Sequence, residues 1–235
     1  SGTSLANTSR VSIGAKSPLT GGIKESNVGG TVSNALGRLG ITAVIVEGKP
    51  TEGDLYVLRI DKTGAASLDS AAGYRGMRTY ALIEQLLAYY GEKNSVLCIG
   101  PAGESCLSAA SIQSTDVDDR PCRAAGRGGL GAVMGSKGLK ALVVERGGQA
   151  ADPIADPESF KEAASVFTKN LREHPLTSQA MPALGTAMIV APINAAGAFP
   201  CYNATKGVFD GWEKISGEKM AKTISERGGK TTHVG

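Results

Sequence analysis

Between Gly126 and Gly138 the chain places six glycines in thirteen residues, "GRGGLGAVMGSKG", directly ahead of the apolar run "LKALVVE" (139–145). Glycine loses more conformational freedom on ordering than any other residue, so a run this dense belongs where the main chain must turn sharply or approach something closely. Arg127 and Lys137 are interleaved with it, and Arg123 and Lys140 flank it. If a ligand is what the backbone approaches, those cations make it anionic. A nucleotide, a phosphorylated cofactor and a plain tight turn all satisfy the pattern.

Known phosphate cradles narrow the choice. The ATP-binding pattern GxxxxGK[ST] fails, because Ser136 separates Gly135 from Lys137. The dinucleotide pattern GxGxxG matches at Gly126, Gly128 and Gly131, and Glu145 lies about 20 residues on. That pattern requires a strand leading into the glycines. The residues that precede them, "STDVDDRPCRAA", are polar and interrupted by Pro121, and "LGAVMGSKG" leaves little room for a helix. A second glycine-rich basic stretch, "NTSRVSIGAKSPLTGGIKESNVGG" (7–30), carries Arg10, Lys16 and Lys24. Two such loops predict two anionic groups, or one elongated ligand held at both ends, because exposed amides form anion-binding concavities and arginine adds forked hydrogen bonds. The alternative is that the glycines serve bulges and turns in a twisted sheet.

The remaining pattern predicts an α+β chain. "ITAVIVEG" (41–48), "DLYVLRID" (54–61) and "LKALVVE" are strand-like, "SVLCIGPAGE" (95–104) reads as a strand running into a turn, and "KTGAASLD" as a turn and a short strand. "TYALIEQLLAYYGE" (79–92) has helical apolar spacing and Gly91 as its C-cap. The texture then changes. Asp156 is placed to N-cap "PESFKEAASVFTKNLREH" with Pro157 in the first turn, and "GTAMIVAPINAAG" and "SGEKMAKTISERGG" also read as helices. This predicts a strand-rich domain over 1–150 and the beginning of a helical one over 151–235, with both ends reading as cuts through a longer protein.

A net charge of +3 does not point to nucleic acid or an anionic membrane surface. No apolar run predicts a membrane span. The four cysteines, Cys98, Cys106, Cys122 and Cys201, have no metal-ligand spacing. Cys98 is expected to be a buried thiol, and the compartment reducing and cytoplasmic. Lys137 and Lys140 are candidates either for phosphate contact or for solvated positions. His174, before Pro175, reads as structural, and His233 gives no basis for a role.

The stretches "KSPLTGG", "SNVGG", "GPAGE" and "RAAGRGGLGAVMGSKGLKALVVE" together resemble the N-terminal domain of the tungsten-containing aldehyde ferredoxin oxidoreductase family, in order over residues 3–148. The resemblance continues more loosely through "GTAMIVAPINAAGAFPCYN" and "SGEKMAKTISERGGK". It implies β-sheets around a pseudo-twofold axis, carrying a tungsten (or molybdenum) bis-pyranopterin whose two phosphates are linked by Mg2+. By motif, Arg10, Asn27 and Gly29 correspond to one pterin-contacting stretch, and Arg123, Ala124, Gly126 and Arg127 to the other. The Asn27 and Ala124 carbonyls would be the protein's magnesium ligands, in a hard oxygen shell. The implied reaction oxidises an aldehyde with water to a carboxylic acid and passes two electrons through a [4Fe–4S] cluster to ferredoxin or an iron–sulfur subunit. The cluster cysteines and the catalytic acid–base residues would lie downstream of this chain. A homo-oligomer or a complex is implied. Three readings remain open: an aldehyde oxidoreductase; a relative with the same cofactor and another substrate, such as a benzoyl-CoA reductase tungsten subunit or a sugar-phosphate oxidoreductase; and a non-catalytic pterin-binding or assembly module.

Overall fold

A strand needs a neighbour, and eight segments in the first part of the chain find one. The computed structural model describes residues 2–51, 53–147 and 154–229. Two compact units are present, Ser1–Ala155 and Asp156–Gly235. The domain boundary expected near residue 150, like His233, lies outside the described residues.

The first unit opens with a hairpin, β1 (Arg10–Lys16) and β2 (Ile23–Gly29), followed by α1 (Val32–Arg38). Then come β3 (Tyr56–Ile60), β4 (Ala66–Ser70), α2 (Thr79–Tyr90), β5 (Asn94–Cys98) and the short α3 (Pro101–Glu104). The unit closes with β6 (Ile112–Ser114), β7 (Arg123–Ala125), α4 (Leu130–Ser136) and β8 (Leu139–Glu145). Six strands form one mixed sheet in the order β4-β3-β8-β5-β6-β7, and β1 and β2 form a separate antiparallel pair. The architecture is α+β, as the sequence pattern predicts.

The sheet is covered on both faces, which is why β5 and β8 read as unbroken apolar runs. Leu97, Leu142 and Val144 belong to a core with Val28, Val32, Ile99, Ile112 and Leu130. The alternate residues Val96, Cys98, Ala141 and Val143 face the other side, against Leu82, Ile83 and Leu86 of α2. Cys98 is a free thiol with no exposed surface. Burial pushes its pKa up to about 12, with Lys140 acting in the opposite sense.

Two expectations about this unit fail. Residues 41–48 belong to no ladder, and Ile45 is 82% exposed. β-branched composition predicts how a strand would pack; it cannot supply the partner that makes one. This segment and β1 flank an apolar groove of about 660 Å³ floored by Leu58, Leu97 and Leu142. Lys140, treated as a phosphate or solvent contact, has no exposed surface. Its Nζ donates to the Met77 carbonyl at 3.1 Å and pairs with Glu104, whose other carboxylate oxygen accepts from the Gly76 amide at 2.8 Å.

The second unit is helical. The Asp156 carboxylate accepts from the Glu158 and Ser159 amides and caps α5 (Pro157–Glu173). After it come α6 (Met181–Leu184), α7 (Val190–Ala195) and α8 (Gly217–Glu226), the last capped by Ser216 through the Lys219 amide. By length and composition alone, Leu176–Ala195 is apolar enough to cross a membrane, which the sequence pattern did not predict. The segment passes through π, α, 3₁₀ and α turns rather than one regular helix, a poor match for hydrocarbon, where every backbone group must be satisfied internally.

Candidate cofactor site

Alternation fixes which side chains of the hairpin face outward. Along β1, Arg10, Ser12, Gly14 and Lys16 are exposed and the residues between them half-buried. The ladder pairs Arg10 with Gly29, Ser12 with Asn27 and Gly14 with Glu25. Paired residues share a face, so Arg10, Asn27 and Gly29 stand together on the outer one. Val28 and Ser26 point inward and are buried. Glu25 is the acidic member of the outer face, where its carboxylate accepts from the Ser12 hydroxyl at 2.8 Å.

β7 ends the large sheet, with Arg123 and Ala124 exposed and Ala125 buried. It packs beside β2, and the Arg127 amide donates to Ser26 Oγ at 3.2 Å. The two stretches, about a hundred residues apart in sequence, thus lie side by side, with the glycine loop meeting the hairpin at Ser26 and Lys24. The hairpin carries Arg10, Asn27 and Gly29 on its outer face, and the edge strand and its loop carry Arg123, Ala124, Gly126 and Arg127. Arg10, Arg123 and Arg127 are all exposed. The apolar groove lies on the inner side of the hairpin; of these seven residues only Arg10 is among those lining it.

The glycine run divides into two kinds. A Cβ built on Gly126 meets no protein atom within 4 Å, and one on Gly29 meets only Arg10 Nη1 at 3.5 Å. Gly126 has open space in front of it, and Gly29 has the Arg10 guanidinium. The others serve the fold. Gly128 and Gly129 have φ of +74° and +68°, and Cβ atoms there would lie 2.4 Å from Lys24 Cγ and 1.9 Å from the Ser108 carbonyl oxygen. A Cβ on Gly135 would lie 1.9 Å from the Gly103 carbonyl oxygen, where α4 crosses α3. Most of the glycine density is therefore turn geometry and close helix contact, and Gly126 alone in the run faces open space.

The dinucleotide pattern is also resolved, on grounds other than those read from sequence. A three-residue strand does precede the glycines, and a seven-residue helix does follow them. What fails is topology: β5 and β6 separate β7 from β8, so no parallel βαβ unit exists there.

Sequence reasoning missed the groups that shape this surface. Asp116 has a buried side chain that accepts from the Asp118 and Arg120 amides, both at 2.9 Å, and from Cys122 Sγ at 3.0 Å. Burial pushes its carboxyl up. The Cys122 thiol, the two amides and the Arg120 charge together outweigh burial and leave the pKa lowered. This turn delivers the chain to Arg123. Among the described residues, no three His, Cys, Asp or Glu side chains form a metal cluster.

The N-terminal-domain profile of aldehyde ferredoxin oxidoreductases matches residues 1–146, and the profile for their domains 2 and 3 matches residues 162–233. The chain belongs to the aldehyde ferredoxin oxidoreductase family. It is 36% identical over 220 residues to the tungsten-containing aldehyde ferredoxin oxidoreductase of Pyrococcus furiosus, an alignment covering 94% of this chain and 35% of that protein. A second Pyrococcus furiosus protein, an aliphatic sulfonate oxidoreductase WOR-like subunit, is 29% identical over 69% of this chain and 27% of its own length. Among solved structures, the active-site complex BamBC of benzoyl-CoA reductase with 1,5-dienoyl-CoA is similar, with a TM-score of 0.68 and 28% identity over 78% of this chain and 27% of that one. The chain spans about a third of the length of these curated aldehyde-oxidoreductase relatives.

Proposed function

We propose that this chain is the pterin-binding part of a tungsten enzyme that oxidises aldehydes to carboxylic acids, with ferredoxin or an iron–sulfur subunit as electron acceptor. The observation that carries the proposal is the apposition of hairpin and edge loop, with three exposed arginines and open space in front of Gly126. Its donor set suits an anionic, phosphate-bearing ligand. Guanidinium groups of Arg10, Arg123 and Arg127 offer forked, charge-assisted hydrogen bonds, Gly126 leaves room for a ligand against the main chain, and Gly29 lies under the Arg10 guanidinium. The Asn27 and Ala124 carbonyls would supply hard oxygen donors for Mg2+.

The tungsten (or molybdenum) bis-pyranopterin, when bound, supplies the redox chemistry, and this part of the protein supplies position and charge. The [4Fe–4S] ligands and the proton-transfer residues belong to sequence beyond the 235 residues. The setting is a cytoplasmic homo-oligomer or complex. A second reading keeps the cofactor and changes the substrate, because the similar proteins include a sulfonate oxidoreductase subunit and a benzoyl-CoA reductase.

The test is metal analysis and pterin-derivative fluorescence on the full-length enzyme, followed by viologen-dye reduction with aldehydes, a sulfonate and an aryl-CoA thioester. Tungsten or molybdenum with two pterins, and turnover of aldehydes, is the expected result. Absence of metal and pterin from anaerobically prepared protein would refute the cofactor reading. Turnover confined to the sulfonate or thioester would move the enzyme to the second reading.

A further inference from the structure

Among the described residues no strand ladder joins the hairpin to the six-stranded sheet, so its placement beside β7 rests on apolar packing of Val11, Ile13 and Val28 and on discrete hydrogen bonds. At the Gly29 end, the Thr31 amide donates to the Thr115 carbonyl at 3.0 Å, and the two threonine hydroxyls meet at 3.1 Å. Toward the glycine loop, two serine hydroxyls make the connection. Ser26 is 2% exposed and its Oγ accepts from the Arg127 amide at 3.2 Å, 101 positions away. Ser17 is 1% exposed and its Oγ donates to the Gly128 carbonyl at 2.7 Å, 111 positions away. The same Ser17 oxygen accepts from the Leu19 and Thr20 amides at 3.1 and 3.3 Å, so one hydroxyl both closes the hairpin turn and grips the loop. Ser26 lies on the inner face, with Asn27 next to it on the outer.

We propose that Ser17 and Ser26 are positioning residues. They touch no ligand; they hold the Arg127–Gly128 segment against the hairpin so that the two half-surfaces meet one anionic ligand at a fixed spacing. The positive φ at Gly128 is what turns its carbonyl toward Ser17 while letting Lys24 pack over its Cα. The role rests on the cofactor reading above. It adds a cause for ligand affinity that lies behind the contact surface. A preorganised site does not spend binding free energy on ordering a loop.

The test uses the full-length enzyme with Ser17→Ala, Ser26→Ala and their threonine counterparts. Ser95→Ala is the control: Ser95 is equally buried, and its Oγ accepts from Arg146 Nε, away from the loop. Three quantities are read: tungsten and pterin occupancy at limiting cofactor, melting temperature, and hydrogen exchange at the Arg127 and Gly128 amides in cofactor-free protein. Each alanine variant is expected to lose roughly three- to tenfold in cofactor affinity, the size of one ordinary hydrogen bond. Exchange at the Arg127 amide should quicken by a similar factor in Ser26→Ala. Threonine should restore occupancy, and Ser95→Ala should lower melting temperature with occupancy kept. If the serine variants lose melting temperature with occupancy kept, as the control does, or if occupancy is unchanged while amide exchange quickens, the positioning role is wrong. Where a threonine variant does not fold, the alanine and control data decide alone. The arginine variants separate the two readings: if Arg123→Ala and Arg127→Ala also bind cofactor fully, the cofactor reading has failed, and this role fails with it.

Discussion

Arg123 and Arg127 differ from Lys137 in what a single side chain can hold. A guanidinium grips a phosphate or a pterin carbonyl with two parallel hydrogen bonds; a lysine is one flexible point charge. In the full-length enzyme, Arg123→Ala and Arg127→Ala should each lower tungsten and pterin occupancy by one to two decades. That corresponds to about 1.5–3 kcal/mol for a lost charge-assisted bond. Arg123→Lys should rescue only in part, and Lys137→Ala should matter less. The glycines give a second test at the same scale. Gly126→Ala points its methyl into open space, so it should lower cofactor content while leaving melting temperature nearly unchanged. Gly135→Ala drives a methyl against the Gly103 backbone and should cost about 1–3 kcal/mol of stability by overpacking. Equal melting temperatures for the two variants would show that the division of the glycine run is wrong. The run announced close approach in the sequence, but only the neighbours of each Cβ distinguish an approach to ligand from an approach to Ser108 or Gly103.

Elements are held together here by a few buried polar groups as well as by the apolar core. The Lys140–Glu104 pair ties β8 to α3, and through the Gly76 amide and the Met77 carbonyl it fixes the turn ahead of α2. Removing one partner of a buried pair leaves the other uncompensated, so Lys140→Met should cost about 3–5 kcal/mol. Lys140→Met combined with Glu104→Gln should recover most of it. Denaturant midpoints at constant slope would show this, and an additive double variant would mean the pair is not coupled. The turn held by Asp116 gives a pH signature. Its folded pKa is depressed, so its contribution is fully present above the unfolded carboxylate value of about 3.9 and is lost as pH falls through the lower folded value. Asp116→Asn should remove that part of the acid transition; an unchanged acid limb would contradict the assignment. At this scale periodicity read well. The predicted helix over 79–92 is α2, Asp156 caps α5 as expected, and "LKALVVE" coincides with β8. The strand expected over 41–48 did not form, because pairing is a property of two segments and composition describes one.

As a whole molecule, the chain concentrates its buried apolar side chains in the first unit. α5 has no fully buried residue, whereas every residue of β5 is buried. Amide exchange in the 235-residue chain should therefore be slowest in β5 and β8 and markedly faster in α5, since local opening is governed by buried contacts. Equal protection in the two would contradict this. The sequence by itself determined the α+β class, the helix caps, the buried thiol at Cys98 and the two basic glycine-rich stretches. Each of these is written in local periodicity or in the chemistry of one segment. The tertiary structure decided the rest. It set Arg10, Asn27 and Gly29 on one outward face of the hairpin, packed the hairpin beside β7, buried Lys140 and placed Ser17 and Ser26 between hairpin and loop. These depend on which segments lie side by side after folding, and a contact between residues 101 or 111 positions apart leaves no local signature in either of them.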